Sequence, residues 1–362
     1  LFESANACQR YGNHGRSRPG GVSFYKGRVG LARVAFRALP RPIQRRILDG
    51  IEDFRRRHPA PHSGIEDLGL APGQVYPCGI NFDDCVREGI AGQFAGLTIR
   101  KDTPVASIGS CFADEFASHM RERGFHYVSA EADRFPASAN WGRVYTIPSF
   151  RQIVMYSTTD DFAMPVEHSP EGWFDPLREP RAGHFATRLE AEAAIRGHRA
   201  ASRAAFAGAR VLIINLGQNE AWIDRASGLA WAHRPLRVIL DSAGGRFETR
   251  TFSFEENAGW LMDSIERLRG LNHGLDILLT VSPVASYATF SGAEAVTQSF
   301  AGKCILRAVV DRMTGLVPRV WYFPSFEMTL AWNPETLAAD NRHVKRSTID
   351  RIFELFHRTL VR

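Results

Sequence analysis

Pro104-Val105-Ala106-Ser107-Ile108-Gly109-Ser110-Cys111-Phe112-Ala113-Asp114-Glu115-Phe116 reads as a short buried strand, a Gly-Ser turn and an immediate helix. Val105 and Ile108 with small residues between them suit a strand, Gly109 permits a sharp turn, and Phe112, Phe116 and Met120 recur at helical spacing. Ser110 therefore stands at a helix N-terminus, where unpaired N–H groups and the positive end of the helix dipole favour a developing anion. That is a place for a nucleophile, Ser110, or for a plain N-cap serine. Cys111 is a rival nucleophile at the same helix start, ranked second because the turn projects the serine.

Working outward, the chain alternates strand-like runs at 104–108, 125–128, 210–215, 276–281 and 318–323 with helix-like stretches at 111–123, 187–207, 254–270, 292–315 and 346–360. Apolar strands separated by helices predict an α/β fold, a parallel sheet covered on both faces. Segments 229–240 and 246–254, around Gly244-Gly245, read as an inserted or edge hairpin at 229–254. In such a sheet ligands sit beyond the C-terminal strand ends, so the chemistry belongs in the residues just after each strand.

After the 210–215 run comes Leu216-Gly217-Gln218-Asn219. Gly217 offers a backbone N–H and Asn219 a carboxamide, the two kinds of donor that build an oxyanion hole; a turn with Asn219 as a helix cap is the other reading. Near the end, Asp340-Asn341-Arg342-His343 places a carboxylate three residues before an imidazole. Asp340 is able to orient His343 as a general base, which Ser110 otherwise lacks; the same spacing also occurs in surface turns and half metal sites.

Gly109-Ser110-Cys111-Phe112-Ala113, with Leu216–Trp222, Thr280–Val284, Tyr322–Glu327 and the Asp340/His343 loop, resembles the GSCFA family, which is similar to the SGNH/GDSL-type serine hydrolases. The resemblance spans roughly residues 75 to 350. It implies a flavodoxin-like three-layer sandwich with a doubly wound parallel sheet, Ser110 as nucleophile, His343 as base, Asp340 as its orienter, and an oxyanion hole from Ser110, Gly217 and Asn219. Gly109 stands where the hydrolase pattern carries Asp, and Asn219 where the family often carries Thr. Asn140, Trp141 and Tyr145, in a loop-rich stretch, and Ser282, at a strand exit, are candidates for substrate contact, the other reading being loop packing for the first three and shaping of the strand exit for Ser282. Lys303, on the helix that follows, either faces an acidic ligand or, as most helical lysines do, stands in solvent.

The function expected is a serine-dependent acyl-ester hydrolase acting through an acyl-enzyme on an acylated carbohydrate. Transfer of the acyl group to a sugar hydroxyl is the first alternative, and a non-catalytic module of the same fold, binding an anionic glycan or membrane, is the second. No metal, cofactor or nucleic-acid partner is expected.

The chain is 362 residues long, 44% hydrophobic and 23% charged, which predicts a folded globular protein with a sizeable core. No run of 18 apolar residues predicts a membrane span. Five scattered cysteines, Cys8, Cys78, Cys85, Cys111 and Cys304, fit a reducing compartment, and Cys78 and Cys85 lack a partner pair at zinc spacing. A cytoplasmic location is the expectation, with export left open because the sequence begins at Leu1. Residues 1–60 carry 13 Lys and Arg against 4 Asp and Glu, and the remainder 32 against 35, so the basic excess is at the front. Residues 1–62 are expected as a basic arm and two amphipathic helices, 29–39 and 41–57, before a linker at 58–62 and the α/β domain at 63–362. Those helices suit an anionic polymer or membrane surface, or the protein's own core.

Overall fold

The computed structural model describes residues 39–57, 74, 76, 82–131, 135–331 and 336–362. The chain divides into two compact units, Leu1–Gln93 and Phe94–Arg362. In the first, the described helices are α1 (Arg41–Arg57), over the predicted span, and α2 (Phe82–Ala91). The predicted arm, most of the 29–39 helix, the linker, Cys8 and Cys78 lie outside the described residues. Among the described residues no helix is long and apolar enough to cross a membrane.

The second unit is built on a parallel sheet of four strands: β1 (Val105–Gly109), β4 (Val211–Leu216), β7 (Asp276–Val281) and β8 (Val320–Tyr322), in the order β1-β4-β7-β8. Every residue of β1, β4 and β7 is buried, which is why their sequences run almost continuously apolar instead of alternating. The expected strand at 125–128 is reduced to a single parallel bridge from Tyr127 to Val105 on the outer side of β1. Its cause is local: Val105 N–H donates to His126 O, but the next inward donor, Ser107 N–H, turns to Ser138 Oγ at 3.1 Å and ends the ladder. With that bridge counted as a rudimentary second strand, the order is 2-1-3-4-5, the flavodoxin-like arrangement, whose switch point lies between β1 and β4.

Helices cover both faces. α3 (Cys111–Glu122) and α10 (Arg346–Leu360) meet through aromatic rings, Phe116 edge-on to Phe353 at 4.9 Å and to Phe356 at 5.3 Å. Phe116 is fully buried, and its truncation to Ala is worth about 3–5 kcal/mol. The other face buries Ile108, Leu212, Ile214, Ile277 and Leu279 against α4 (Ile147–Thr158), α5 (Arg188–Gly208), α7 (Phe254–Leu271) and α8 (Ala295–Leu316).

Local structure departs from the expectation in three places. Helix α4, in the stretch expected to be loop-rich, starts at the Thr146 cap with a proline in its first turn. A small hairpin, β2 (Glu167–Ser169) with β3 (Gly172–Phe174), precedes α5. The hairpin expected at 229–254 does not form as such: β6 (Phe247–Thr251) pairs antiparallel with β5 (Glu220–Asp224), and Arg237–Ser242 is a short helix, α6. Arg237 and Asp241 pair across one turn of α6, and Ile239 packs with Phe174 and Trp231. A run of three apolar residues does not distinguish strand from helix by period alone. The last helices are α9 (Ser325–Ala331) and α10.

Candidate active site

Gly109 closes β1 with φ +148°, and a Cβ there would strike the Asn215 carbonyl oxygen and lie 2.8 Å from the Asn215 Cβ. Only glycine allows this approach. It brings Asn215 of β4 beside Ser110, which follows immediately as the N-cap of α3. The Ser110 hydroxyl donates to Asn215 Oδ1 and accepts from Phe112 N–H at 3.4 Å. Both readings of Ser110 thus describe one residue: it caps the helix, and it stands on the wall of a cavity of about 670 Å³.

The cavity lies at the C-terminal ends of β1, β4 and β7, at the switch point of the sheet. Its wall includes Ser110, Gly217, Tyr145, Ser282 and His343. Gly217 abuts the nucleophile candidate, since a Cβ at 217 would lie 2.9 Å from the Ser110 Cβ. His343 enters from the loop before α10. Asn341, in the left-handed region at φ +54°, turns that loop so that Asp340 Oδ1 accepts the backbone N–H groups of Arg342 and His343, at 3.1 and 3.0 Å. Asp340 Oδ2 lies 2.5 Å from His343 Nδ1. The His343 backbone N–H, then its ring, then the Arg342 N–H hold the Asp340 carboxyl down at about 2. Arg342 approaches the other ring nitrogen, Nε2, at 3.1 Å. A guanidinium only donates, so Nε2 carries the lone pair and Nδ1 the proton given to Asp340.

The donors expected for the oxyanion are otherwise engaged. Asn219 does not line the cavity: its Nδ2 donates to Phe252 O at 2.7 Å and its Oδ1 accepts from Asn257 Nδ2 at 2.7 Å, so it ties the β4–β5 loop to α7. Gly217 N–H and Gln218 N–H both donate to Tyr145 O, at 3.0 and 2.7 Å, and Ser110 N–H donates to Asn215 O at 3.3 Å. Asn140 and Trp141 are likewise off the cavity wall. Trp141 is core, stacked on Phe206 with its indole N–H on Ser202 Oγ, and the Asn140 carbonyl accepts from Arg178. Ser282 Oγ accepts from Val284 N–H at 3.3 Å, shaping the strand exit.

Lys303 is not solvated. It is buried on α8, its ammonium donates to the Gly217 carbonyl, and burial pushes it down to about 7. Sequence reading also missed the cationic and aromatic lining: Arg143, His233, Arg234, Arg342, Trp222, Trp231, Tyr287 and Phe290. Of these, Trp222 and Arg342 lie inside blocks already recognised; the others come from loops that only the fold brings together. Arg143 reaches Asp114 of α3 at 3.4 Å, and burial lifts the Asp114 carboxyl to about 6 against that pull. Burial also raises the Cys111 thiol, which removes the thiolate its rival role requires. Among the described residues no group of three or more His, Cys, Asp or Glu is placed to hold a metal.

The model of the GSCFA family matches residues 104–356. Two solved structures share a similarity: a family 3 carbohydrate esterase of Clostridium thermocellum, 11% identical, covering 71% of this chain and 94% of that one with a TM-score of 0.33; and a carbohydrate esterase family 3 protein from Talaromyces cellulolyticus, 10% identical, covering 70% and 94% with a TM-score of 0.29. No curated protein matches the sequence.

Proposed function

This chain belongs to the GSCFA family, and from its cavity we propose that it is a serine-dependent acyl-ester enzyme with Ser110 as nucleophile, His343 as general base and Asp340 as the group that orients it. One observation carries the reading: Ser110 and an imidazole already bonded through Nδ1 to a carboxylate stand on the wall of the same cavity. Ser110 Oγ attacks the ester carbonyl carbon as its proton passes to His343 Nε2. The tetrahedral oxyanion collapses, the C–O bond breaks, and the imidazolium returns the proton to the leaving alcohol. Water then repeats the sequence on the acyl-enzyme, with the acid released and Ser110 restored. With the Gly217 N–H and the Asn219 amide engaged elsewhere, the oxyanion is stabilised by the positive N-terminal end of the α3 dipole and, below about pH 7, by the charge of Lys303 behind the Gly217 carbonyl.

Acylated carbohydrate is the substrate class this reading favours. Trp222, Trp231, Tyr287 and Phe290 give the cavity an aromatic wall on which sugar faces pack. A sugar hydroxyl in place of water in the second half-reaction would make the same machinery an O-acyltransferase.

The test is turnover of p-nitrophenyl acetate by the full chain, Ser110→Ala and His343→Ala, with trapping of the acyl-enzyme by mass spectrometry. The expected result is an acetyl group on Ser110 and a loss of about a hundredfold or more in either variant. Equal behaviour of all three proteins would leave Ser110 as a helix cap and turn attention to the binding-module alternative.

A further inference from the structure

The charges on the cavity wall are unequally satisfied. Both of its carboxylates are occupied: Glu115 pairs with Arg346 at 3.1 Å, and Glu220 accepts from Thr289 Oγ1 at 2.6 Å and from Phe290 N–H at 2.7 Å. Two of its three arginines have no carboxylate partner among the described residues. The Arg234 side chain is exposed and makes no ion pair or hydrogen bond there. Arg342 lies over the Tyr287 ring at 5.5 Å and donates to the Ala285 carbonyl at 3.3 Å and to His343 Nε2 at 3.1 Å.

That last contact bears on catalysis. A general base needs the Nε2 lone pair, and Arg342 occupies it. A planar guanidinium is also the side chain best matched to a carboxylate, sulfate or phosphate, whose charge-assisted paired bonds are about twice as strong as a bond to a neutral acceptor. An anion arriving at this wall therefore outcompetes the imidazole for Arg342.

Resting on the acyl-ester reading above, we propose that the ester taken into this cavity carries an anionic group, paired by Arg234 and Arg342, and that engaging Arg342 frees Nε2 of His343 to act as the base. The anion is a carboxylate, sulfate or phosphate on the acid or the alcohol side of the ester. The proton inventory is unchanged, because Arg342 stays protonated and only exchanges acceptors.

Two measurements on the full chain test this, with 4-acetoxybenzoate and its methyl ester as a charged and neutral pair. In the first, ligand-observed NMR titration of Ser110→Ala is expected to show the charged ester binding about tenfold or more tighter. That preference should shrink as salt is raised and in Arg234→Gln and Arg342→Gln backgrounds. Equal affinities, no binding of either ester, or a preference that survives both arginine changes overturns the proposal. In the second, Arg342→Gln is expected to raise kcat/KM several-fold for the neutral ester, whose base is no longer blocked, while lowering it about tenfold for the charged one. Movement of both substrates in the same direction overturns the release of His343.

Replacing the charged probe with phenyl esters bearing a sulfate or a phosphate identifies the preferred anion. The two readings fail differently. Hydrolysis without charge preference removes the anion site and leaves the esterase; charge-dependent binding without hydrolysis removes the esterase, and the base-release step with it, and leaves the anion site.

Discussion

The Ser110 hydroxyl, at the end of β1, gives its hydrogen bond to Oδ1 of Asn215 on the neighbouring strand β4, and the other amide atom of Asn215, Nδ2, is buried without a partner among the described residues. The nucleophile candidate therefore rests with its proton directed along the sheet. His343 rests with its lone pair on Arg342, so both reacting groups must exchange partners before a proton passes between them.

Removing the resting acceptor of Ser110 should speed its chemistry. A typical net hydrogen bond is worth about 1 kcal/mol, roughly a fivefold population factor. Asn215→Ala is expected to raise the rate at which a fluorophosphonate labels Ser110 by about three- to tenfold, read by mass spectrometry. A rate at or below that of the parent protein would mean that Asn215 positions the serine instead of holding it back.

Asp340 stays ionised down to about pH 2, because three hydrogen bonds from His343 and Arg342 favour its charged form. It should add no inflection to a rate profile between pH 4 and 9. Asp340→Asn is expected to lower ester turnover at neutral pH by about tenfold or more. Turnover equal to that of the parent protein would contradict its role as an orienter.

Lys303 carries a pH signature in stability. Its pKa falls from the ordinary 10.5 to about 7 on folding, so between those values the unfolded chain holds the extra proton, and stability rises with pH. Relative to Lys303→Met, the parent protein should gain up to about 1.4 kcal/mol per pH unit from pH 7 toward 10.5, measured by urea unfolding. The same variant leaves the Gly217 carbonyl without its donor and should lower kcat more than it raises KM. Parallel stability curves would show that Lys303 is protonated throughout.

His198 and Asp175 should pull in opposite directions. Burial lowers His198 to about 4 against the pull of Glu131, so its contribution to stability is lost as pH falls from 6.5 toward 4. Burial raises Asp175 to about 6, so its contribution is lost as pH rises from 4 toward 6. In urea unfolding between pH 4 and 6, Asp175→Asn should gain on the parent protein with rising pH and His198→Phe should lose, each by up to about 1.4 kcal/mol per unit. Slopes of the same sign in both variants would rule this out.

Two glycines beside Ser110 should separate folding from function. Gly109→Ala places a Cβ against the Asn215 backbone at a positive φ, where neither strand is free to yield, and should cost about 3 kcal/mol or more. Gly217→Ala presses on Ser110 and Tyr145 at the end of β4. It is expected to reduce turnover at least tenfold with a smaller loss of stability, read by comparing urea midpoints with ester hydrolysis.

The strands were legible where burial on both faces leaves a plain apolar run: Val211–Leu216 and Asp276–Val281 lie within one residue of their expected bounds. Tyr127 was not, because one side-chain bond from Ser138 to the Ser107 N–H decides how far that ladder runs. At the site, the order Ser110, Gly217, His343 was readable from three weak local patterns, two just after strand-like runs and one before the last helix, whose coincidence says more than any one of them. The engagement of Asn219 was not, because its partners, Phe252 and Asn257, come from the far side of an insertion. Trp141 looked like a loop aromatic until Phe206 and Ser202 of α5 enclosed it, and Lys303 looked like any helical lysine. These are tertiary facts, invisible to period or spacing.

The cavity wall runs from Ser110, at the first strand, to Ile349, in the last helix, and this governs how activity can return after denaturation. Contacts so remote in sequence form late, after the loops between them have closed. Far-UV circular dichroism should therefore recover before esterase turnover does in refolding. Partly folded chains should be catalytically silent, which makes the appearance of activity a clock for the final closure of the sheet.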